Sequence, residues 1–493
     1  MKLSLLTQGQ PFIPPEWDRE FQQIHADSRD VAAGDLFIAR QGSAQDGRRH
    51  IDDAIARGAV AVLAEGELAF ECASGGVPVF STPELTLQLP LWLQRRYPQN
   101  QLLPLVGVTG TNGKSSVTQY IAQLASHVGK KSGVLGTLGN GIWPDLQPTR
   151  NTTPDLSIVR RTLQQLDEQQ AQLVALEVSS HGLEQGRVAG LQFHTAVMTN
   201  LTQDHLDYHG NMENYFNAKA RLFRDFPLQY ALINCDDEYG RRLLQDGALS
   251  ATRYSYGQSQ QADVRYSING YHHGLLTADI TSPWGRGSLA LPLIGDFNLA
   301  NAVAAIAVLC LQGYEFPHLL EAARSLKPVA GRMELYCRDV IGHQGTRTQL
   351  AVIDFAHTPD ALANVMAAVK QVAPRQALVF GCGGDRDRSK RRLMADVAVR
   401  SGVDVWLTDD NPRFEDPQQI FADVLSAAGS DAFHTEHERS AAIASAVASD
   451  AELIVIAGKG HENYQDVGGV KHPYCDEQVL LDLGFAKAGD QYD

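Results

Sequence analysis

The run Leu102-Leu-Pro-Leu-Val-Gly-Val-Thr-Gly-Thr-Asn-Gly-Lys-Ser-Ser116 constrains this chain more than any other. An apolar strand enters a glycine-rich turn ending in Gly113-Lys114-Ser115, and an apolar-periodic segment runs on from Val117 to about Val128. Strand, turn, Lys-Ser and helix in that order make a phosphate cradle, because N–H groups of the turn and of the helix N-terminus converge on phosphate oxygens. Lys114 brings a charge to the outer phosphates, and a hydroxyl such as that of Ser115 can bind Mg²⁺. The usual pattern has a glycine where this chain has Val108, with Gly107 and Gly110 on either side. The run predicts a nucleoside triphosphate site formed by Gly110, Thr111, Asn112, Gly113, Lys114, Ser115 and Ser116.

A chain of 493 residues exceeds one ordinary core, and about two to four domains are expected. No apolar run reaches the roughly 18 residues that a membrane-spanning helix needs. The first ten residues turn polar too soon for a secretory signal, so a cytoplasmic protein is expected. The net charge of -15 disfavours a nucleic-acid or anionic-membrane surface. Anionic ligands must then meet local clusters of Arg and Lys. The six cysteines form no CxxC pair, and their spacing suggests neither zinc nor disulfides. Most are expected to be buried thiols.

Three blocks follow one another. Residues 1–102 alternate short strands and helices. Residues 103–331 carry the phosphate turn and then apolar runs at Ser132–Thr137, Gln172–Val178, Thr195–Leu201 and Tyr230–Asn234 with helical patterns between, which predicts a parallel sheet. Within that block, residues 263–294 alternate apolar and polar positions between glycine turns and read as antiparallel hairpins. A helix from about Asn298 to Gln312 follows. Residues 332–493 predict strands at Gln349–Asp354, Ala377–Phe380, Val403–Thr408 and Glu452–Ala457, with helices such as Pro359–Val372 and Gln418–Ala428. The fold class is therefore α/β in three domains. A smaller N-terminal α/β domain precedes a central P-loop domain with added hairpins, and a Rossmann-like C-terminal domain ends the chain.

Polar residues crowd the ends of the central strands: Glu177-Val-Ser-Ser180-His181 after one, Thr202-Gln-Asp204-His205-Leu-Asp-Tyr-His209 after another. In an open parallel sheet such ends lie beside the phosphate turn. Glu177 is placed to hold Mg²⁺ with a hydroxyl of the turn, and His205 is a candidate ligand for a second metal. His209 reads as a turn histidine engaged in hydrogen bonding.

The ordered motifs Thr109–Ser116, Glu177–Gly182, Asn200–Gly210, Gly295–Asn301 and Asp354–Asp360 resemble those of the Mur ligase family, the ATP-dependent amino-acid-adding enzymes of peptidoglycan synthesis. The resemblance covers essentially the whole chain. Asn151-Thr-Thr-Pro154, the His-Leu-Asp-Tyr-His-Gly run and Asp410-Asn-Pro-Arg413 are similar to the branch that adds the third stem-peptide residue to UDP-MurNAc-L-Ala-D-Glu. It implies a first domain for the UDP end of the substrate, a second for ATP and a third for the incoming amino acid, in a monomeric enzyme with two Mg²⁺ ions. It also implies a reaction in which ATP phosphorylates a carboxylate and an amine attacks the acyl phosphate. By the same resemblance Lys114, Glu177, His205 and Lys219 are the catalytic set, with Lys219 carbamylated so that it can ligate Mg²⁺. By itself Lys219 reads as a surface lysine on an amphipathic helix. Asn301, Arg332 and Asp354 match nucleotide contacts. Asn151, Thr152, Thr153, Ser179, Gln185 and Arg187 match contacts to the UDP-muramoyl dipeptide. Ala26, Ser28, Ser43, Ala44 and Gln45 match the uridine side, although Gln41-Gly-Ser43-Ala44-Gln45-Asp-Gly47 departs from the more usual Gly-His-Gln-Ala-Asp-Gly.

The acceptor is read from the third block. Arg386, Asp410-Asn411-Pro412-Arg413 and Gly458–Glu462 each follow a strand and should converge. Arg413 offers a planar fork to a carboxylate, Arg386 a second cation, and Glu462 a partner for an ammonium. Two cations and an anion suit an amino acid with an extra carboxylate beside a distal amine, which is meso-2,6-diaminopimelate, as the resemblance also implies. Addition of L-lysine is the nearest rival in the same chemistry, and it is disfavoured because lysine leaves Arg413 unpaired. A P-loop ATPase switch without ligase activity is the rival from another class. Phe414 departs from the small residue often found after that Arg.

Overall fold

A computed structural model describes residues 1–42, 46–99, 101, 103–272, 275–342, 345–370, 372–428 and 432–488. Three α/β layers follow in chain order. In the first, the parallel strands Ile24–His25, Leu36–Ala39, Ala61–Glu65 and Pro78–Thr82 lie side by side, and Ala69–Cys72 adds an antiparallel edge.

The central sheet has ten strands. The phosphate-loop strand Leu105–Thr109 lies between Phe193–Met198 and Leu173–Glu177, parallel to both. These strands are buried on both faces, so they read as continuous apolar runs. Period two then divides them. Val106, Val108, Ala175 and Val197 pack toward the helices Lys114–His127 and Asp296–Leu311. Leu105, Val174, Leu176, Ala196 and Met198 pack toward Leu156–Glu168 and Met212–Arg224. Tyr120 Oη donates to Asn298 Oδ1 at 3.1 Å and ties the first two helices together. The expected hairpins form and extend this same sheet. Val264–His272 pairs briefly in parallel with Thr252–Gly257, then antiparallel with Leu275–Ser282, which pairs with Gly285–Leu291.

The C-terminal sheet has seven strands. Its parallel centre is Asp404–Leu407, Gln376–Phe380, Leu453–Ala457 and Gly345–Asp354. Glu334–Gly342, which the apolar pattern did not single out, runs antiparallel along the last of these. A separate hairpin joins Tyr464–Val467 to Val470–Pro473. No helix among the described residues is long and apolar enough to cross a membrane. The cysteines are free; Cys235, Cys310 and Cys382 are buried as expected, whereas Cys72 lies on an edge strand and is exposed.

Candidate active site

The strand carboxyl ends of the central and C-terminal sheets face one cleft of about 1600 Å³. In it the structure gathers Thr111 to Ser116, Glu177, His205, Asn301, Arg332, Asp354, Arg386, Asp410, Asn411, Arg413, Gly458 and Glu462. A second cleft of about 1120 Å³ lies between the N-terminal and central layers and takes Ala26, Gln185 and Arg187. Both clefts are lined by Pro148, Thr149, Arg150 and Asn151, so this loop is where they meet.

Two glycines shape the phosphate loop. At Gly110, φ is +146° and a Cβ would stand 1.9 Å from Thr199 Oγ1; at Gly113, φ is +87° and a Cβ would stand 2.6 Å from Asn301 Oδ1. Neither position admits a side chain. Asn200 holds the loop from the neighbouring strand end: its carbonyl accepts the Thr111 N–H and its Oδ1 the Asn112 N–H, each at 2.9 Å. The Lys114 ammonium donates to the carbonyls of Gly110 and Thr111 at 2.9 Å. Burial lowers its pKa against the opposing pull of Glu177 and Asp204. Ser115 and Ser116 are buried in the first turn of the helix.

Glu177 is almost fully buried and triply bonded. Oε2 accepts from Ser115 Oγ at 3.0 Å and Thr137 Oγ1 at 3.2 Å, and Oε1 accepts the Thr137 N–H at 2.8 Å. Burial raises its pKa, while Lys114 and these bonds pull it down. Thr152 Oγ1 lies 3.1 Å from Thr137 Oγ1, and Thr153 Oγ1 donates to the Glu177 carbonyl at 2.9 Å. Thr153 Oγ1 also accepts the Ser179 N–H, and the Arg187 guanidinium donates to the Thr153 carbonyl and to Gln185 Oε1. Gln185, Arg187, Ser179 and Thr153 therefore form one bonded chain that ends on the strand carrying Glu177. Ser28 is buried, next in the chain to Asp27 of the second cleft. Ser43, Ala44 and Gln45 lie outside the described residues.

Lys219 sits on the buried face of its helix, 2% exposed, and donates to the Gly110 carbonyl at 2.7 Å. Its amine lies 4.6 Å from the centre of the Tyr215 ring. Burial lowers its pKa well below the usual lysine range, and Lys114 lowers it further. The surface-lysine alternative is overturned by this placement. His205 takes φ +53°, its ring 4.9 Å from that of His181. His209 is buried, with Nε2 2.9 Å from Ser180 Oγ, the hydrogen-bonded state expected of it.

Across the cleft, Arg332 stacks on Phe355 at 4.3 Å. Asp354 accepts the N–H groups of Met333 and Ala356 at 2.8 Å each, which leaves lone pairs for a ligand. The loops carrying Gly384 and Pro412 pack backbone on backbone: the Gly384 N–H donates to the Asn411 carbonyl, and a Cβ at Gly384 would meet the Pro412 carbonyl at 2.0 Å. Arg413 has φ +54° and donates to the Gly384 carbonyl at 2.6 Å. Its pKa falls through burial and then through the nearby Arg386. Gly458 leaves room for Asp410, whose Oδ2 would be 2.6 Å from a Cβ there. Asn411 Nδ2 donates to Glu462 Oε2 at 2.9 Å. Phe414 is 79% exposed and its ring covers Gly469 of the hairpin, so it stands outside this cleft.

Several residues in or behind the cleft wall went unassigned in the sequence. Thr137 holds Glu177 yet has no motif around it. Asn200 was visible only as a motif member. Fully buried Lys459 bonds Asn411 Oδ1 at 3.0 Å and Glu462 Oε2 at 3.3 Å, and the Gly-Lys-Gly-His-Glu run was its available signal. Among the described residues no group of three or more His, Cys, Asp and Glu side chains gathers to hold a metal ion. Ser115 and Glu177 nonetheless make a hydroxyl–carboxylate pair that fits Mg²⁺, an ion bound by one or two protein ligands with phosphate and water completing its shell.

Comparison with known proteins finds matches along most of the chain. Residues 20–86, 108–309 and 331–460 match the family models described as the Mur ligase family catalytic domain, the Mur ligase middle domain and the Mur ligase glutamate ligase domain. The chain is 42% identical over 468 residues to the UDP-N-acetylmuramoyl-L-alanyl-D-glutamate--2,6-diaminopimelate ligase of Neisseria meningitidis serogroup A, with 93% of each chain covered. It is 44% identical over 480 residues to the Pseudomonas aeruginosa protein of that name, covering 95% of this chain and 96% of the other. A solved structure of a ligase so named is similar with a TM-score of 0.64 at 35% identity, 98% of each chain being covered.

Proposed function

Since the chain belongs to the Mur ligase family, we propose that it joins meso-2,6-diaminopimelate to UDP-MurNAc-L-Ala-D-Glu at the expense of ATP, in cytoplasmic peptidoglycan precursor synthesis. The observation that carries the reading is the single cleft in which the phosphate loop and Glu177 face the Arg386, Arg413 and Glu462 pocket. The loop shared by both clefts gives an extended substrate a path from the N-terminal layer to the phosphate site.

The chemistry asks for alignment and charge neutralisation rather than a covalent nucleophile. A carboxylate oxygen of the UDP-linked dipeptide attacks the γ-phosphorus of ATP, and ADP leaves. The acceptor amine then attacks the acyl carbon, loses a proton and expels phosphate. Lys114 and the N–H groups of the loop hold the phosphates, with Asn301, Arg332 and Asp354 on the nucleotide. Asn151, Thr152, Thr153, Ser179, Gln185 and Arg187 hold the dipeptide end, and Ala26 and Ser28 the uridine side. Ser115 and Glu177 would hold one Mg²⁺, and His205 with carbamylated Lys219 a second. When bound, the metal neutralises charge on the transferring phosphoryl group. Burial favours the uncharged form of the Lys219 amine, the form that captures CO₂, which supports the carbamate. Arg386 and Arg413 take the acceptor's distal carboxylate, while Asn411 and Glu462 take its ammonium.

The test is phosphate release by the purified protein with ATP, Mg²⁺ and UDP-MurNAc-L-Ala-D-Glu, with meso-diaminopimelate or L-lysine added. Release that requires diaminopimelate, with a UDP-tripeptide of matching mass, is expected. Release with lysine alone replaces the acceptor, and release that needs neither replaces the ligase by an ATPase.

A further inference from the structure

The segment that carries His205 is fastened to the acceptor loop of the C-terminal domain. Lys390 Nζ donates to Asp204 Oδ1 at 2.7 Å, and both side chains are buried. The same Oδ1 accepts the N–H of His205 at 2.9 Å, while Oδ2 lies 3.4 Å from His205 Nε2 and 3.9 Å from His357 Nε2. Beside this pair, Gln203 Nε2 donates to Asp387 Oδ2 at 3.3 Å and to Ser389 Oγ at 3.1 Å.

His205 is not a glycine, yet it takes a left-handed φ of +53°. A residue so placed persists only where its surroundings fix it. Here the fixing group is the Asp204 carboxylate, which binds the backbone of His205 and faces its ring. A buried carboxylate in turn needs a cation, and the lysine that supplies it comes from the other domain, in the first turn of Ser389–Ser401. That turn begins a few residues after Arg386, so the acceptor loop and the phosphoryl-transfer side share one rigid connection.

We propose that Lys390 is a positioning residue for phosphoryl transfer: through Asp204 it holds His205 in its working conformation. This rests on the reading of the protein as a ligase in which His205 serves the first chemical step. A lysine that merely supported the acceptor pocket would affect the second step alone. The two roles separate when acyl phosphate formation is measured without acceptor.

The experiment uses the full-length protein with ATP, Mg²⁺ and UDP-MurNAc-L-Ala-D-Glu, the acyl phosphate being trapped by borohydride reduction to the alcohol. Lys390→Met is expected to slow its formation about 100-fold, the scale of a displaced catalytic group, and Lys390→Arg to recover most of the rate. In the full assay kcat should fall while the acceptor KM stays near the wild-type value. Amide hydrogen exchange across residues 200–210 of the free protein should quicken about tenfold, as expected when a local anchor is lost. Wild-type acyl phosphate formation in Lys390→Met, with a raised acceptor KM, overturns the proposal and leaves the ligase reading intact. No trapped product from the wild-type protein overturns the ligase reading itself. Should Lys390→Met fail to fold, Asp204→Asn asks the same question: slowed acyl phosphate formation supports the role, and an unchanged rate removes it.

Discussion

The Ser115 hydroxyl donates to Glu177 Oε2 at 3.0 Å across a separation of 62 residues. Parallel pairing of Val108 with Glu177 brings the second strand's end level with the start of the phosphate loop. Gly136 backs the carboxylate, since a Cβ there would stand 2.3 Å from Oε1. Glu177 is thus fixed from three sides, with its charge aimed at the loop.

Glu177→Gln keeps the shape and removes the charge. We expect kcat to fall by about 10²- to 10³-fold, the range for losing one preorganised electrostatic group. Ser115→Ala should raise the Mg²⁺ concentration needed for half-maximal rate. A Mg²⁺ titration of each variant checks both, and an unchanged midpoint in Ser115→Ala would remove the hydroxyl from the metal site.

Lys219→Arg retains a cation where the reading requires an anion. Turnover should drop at least about 10²-fold, since an essential group that orients the transferring phosphoryl is lost. Intact-protein mass spectrometry under gentle, bicarbonate-containing conditions should find the mass of one CO₂ on the wild-type protein and not on this variant. Lys219→Arg with normal turnover would show that the amine has another use.

Much of this site is legible in the amino-acid sequence. A strand, a glycine turn and Lys-Ser are local features, and polar residues after buried strands mark the ligand side of a parallel sheet. The rest depends on packing between distant segments. Lys219 has the same helical period on either face, and only the approach of the Gly110 carbonyl shows that it points inward. The strand expected at Thr195–Leu201 is Phe193–Met198, because the Thr199 hydroxyl and the Asn200 amide are drawn off to the phosphate loop. Glu334–Gly342 is amphipathic and lies toward the edge of its sheet, so its apolar signal is diluted. The bond between Lys390 and Asp204 joins two domains and leaves no trace in local pattern.

Arg413 allows a cleaner test than alanine would. Its backbone is left-handed, held by the N–H bond to the Asp466 carbonyl and by the Gly468 N–H on its own carbonyl. Arg413→Gly suits that φ and removes the whole side chain, guanidinium included, without the strain a Cβ would bring there. The KM for diaminopimelate should rise about 10- to 100-fold, the worth of a charge-assisted hydrogen bond of about 1.5–3 kcal/mol, while the KM for ATP stays put. Steady-state kinetics with each substrate varied in turn decides this, and an unchanged diaminopimelate KM takes Arg413 out of the acceptor site.

His461 links the same cleft to pH. Its backbone packs on Gly331, where a Cβ would meet the His461 nitrogen at 2.2 Å, and its ring lies 5.3 Å from that of Phe355. Burial, and then the neighbouring Arg332, push its pKa down from 6.5 to about 4. Between those values the unfolded chain binds a proton that the folded chain refuses. Stability is therefore full above about pH 6.5 and declines as pH falls toward 4. At about 1.4 kcal/mol per unit, the loss due to this residue is about 2 kcal/mol by pH 5. His461→Gln removes the titrating group, so its urea-unfolding free energy should fall less than the wild type's between pH 7.5 and pH 5, by about that amount. Equal losses in the two proteins would mean that His461 is protonated as readily in the folded state as in the unfolded one.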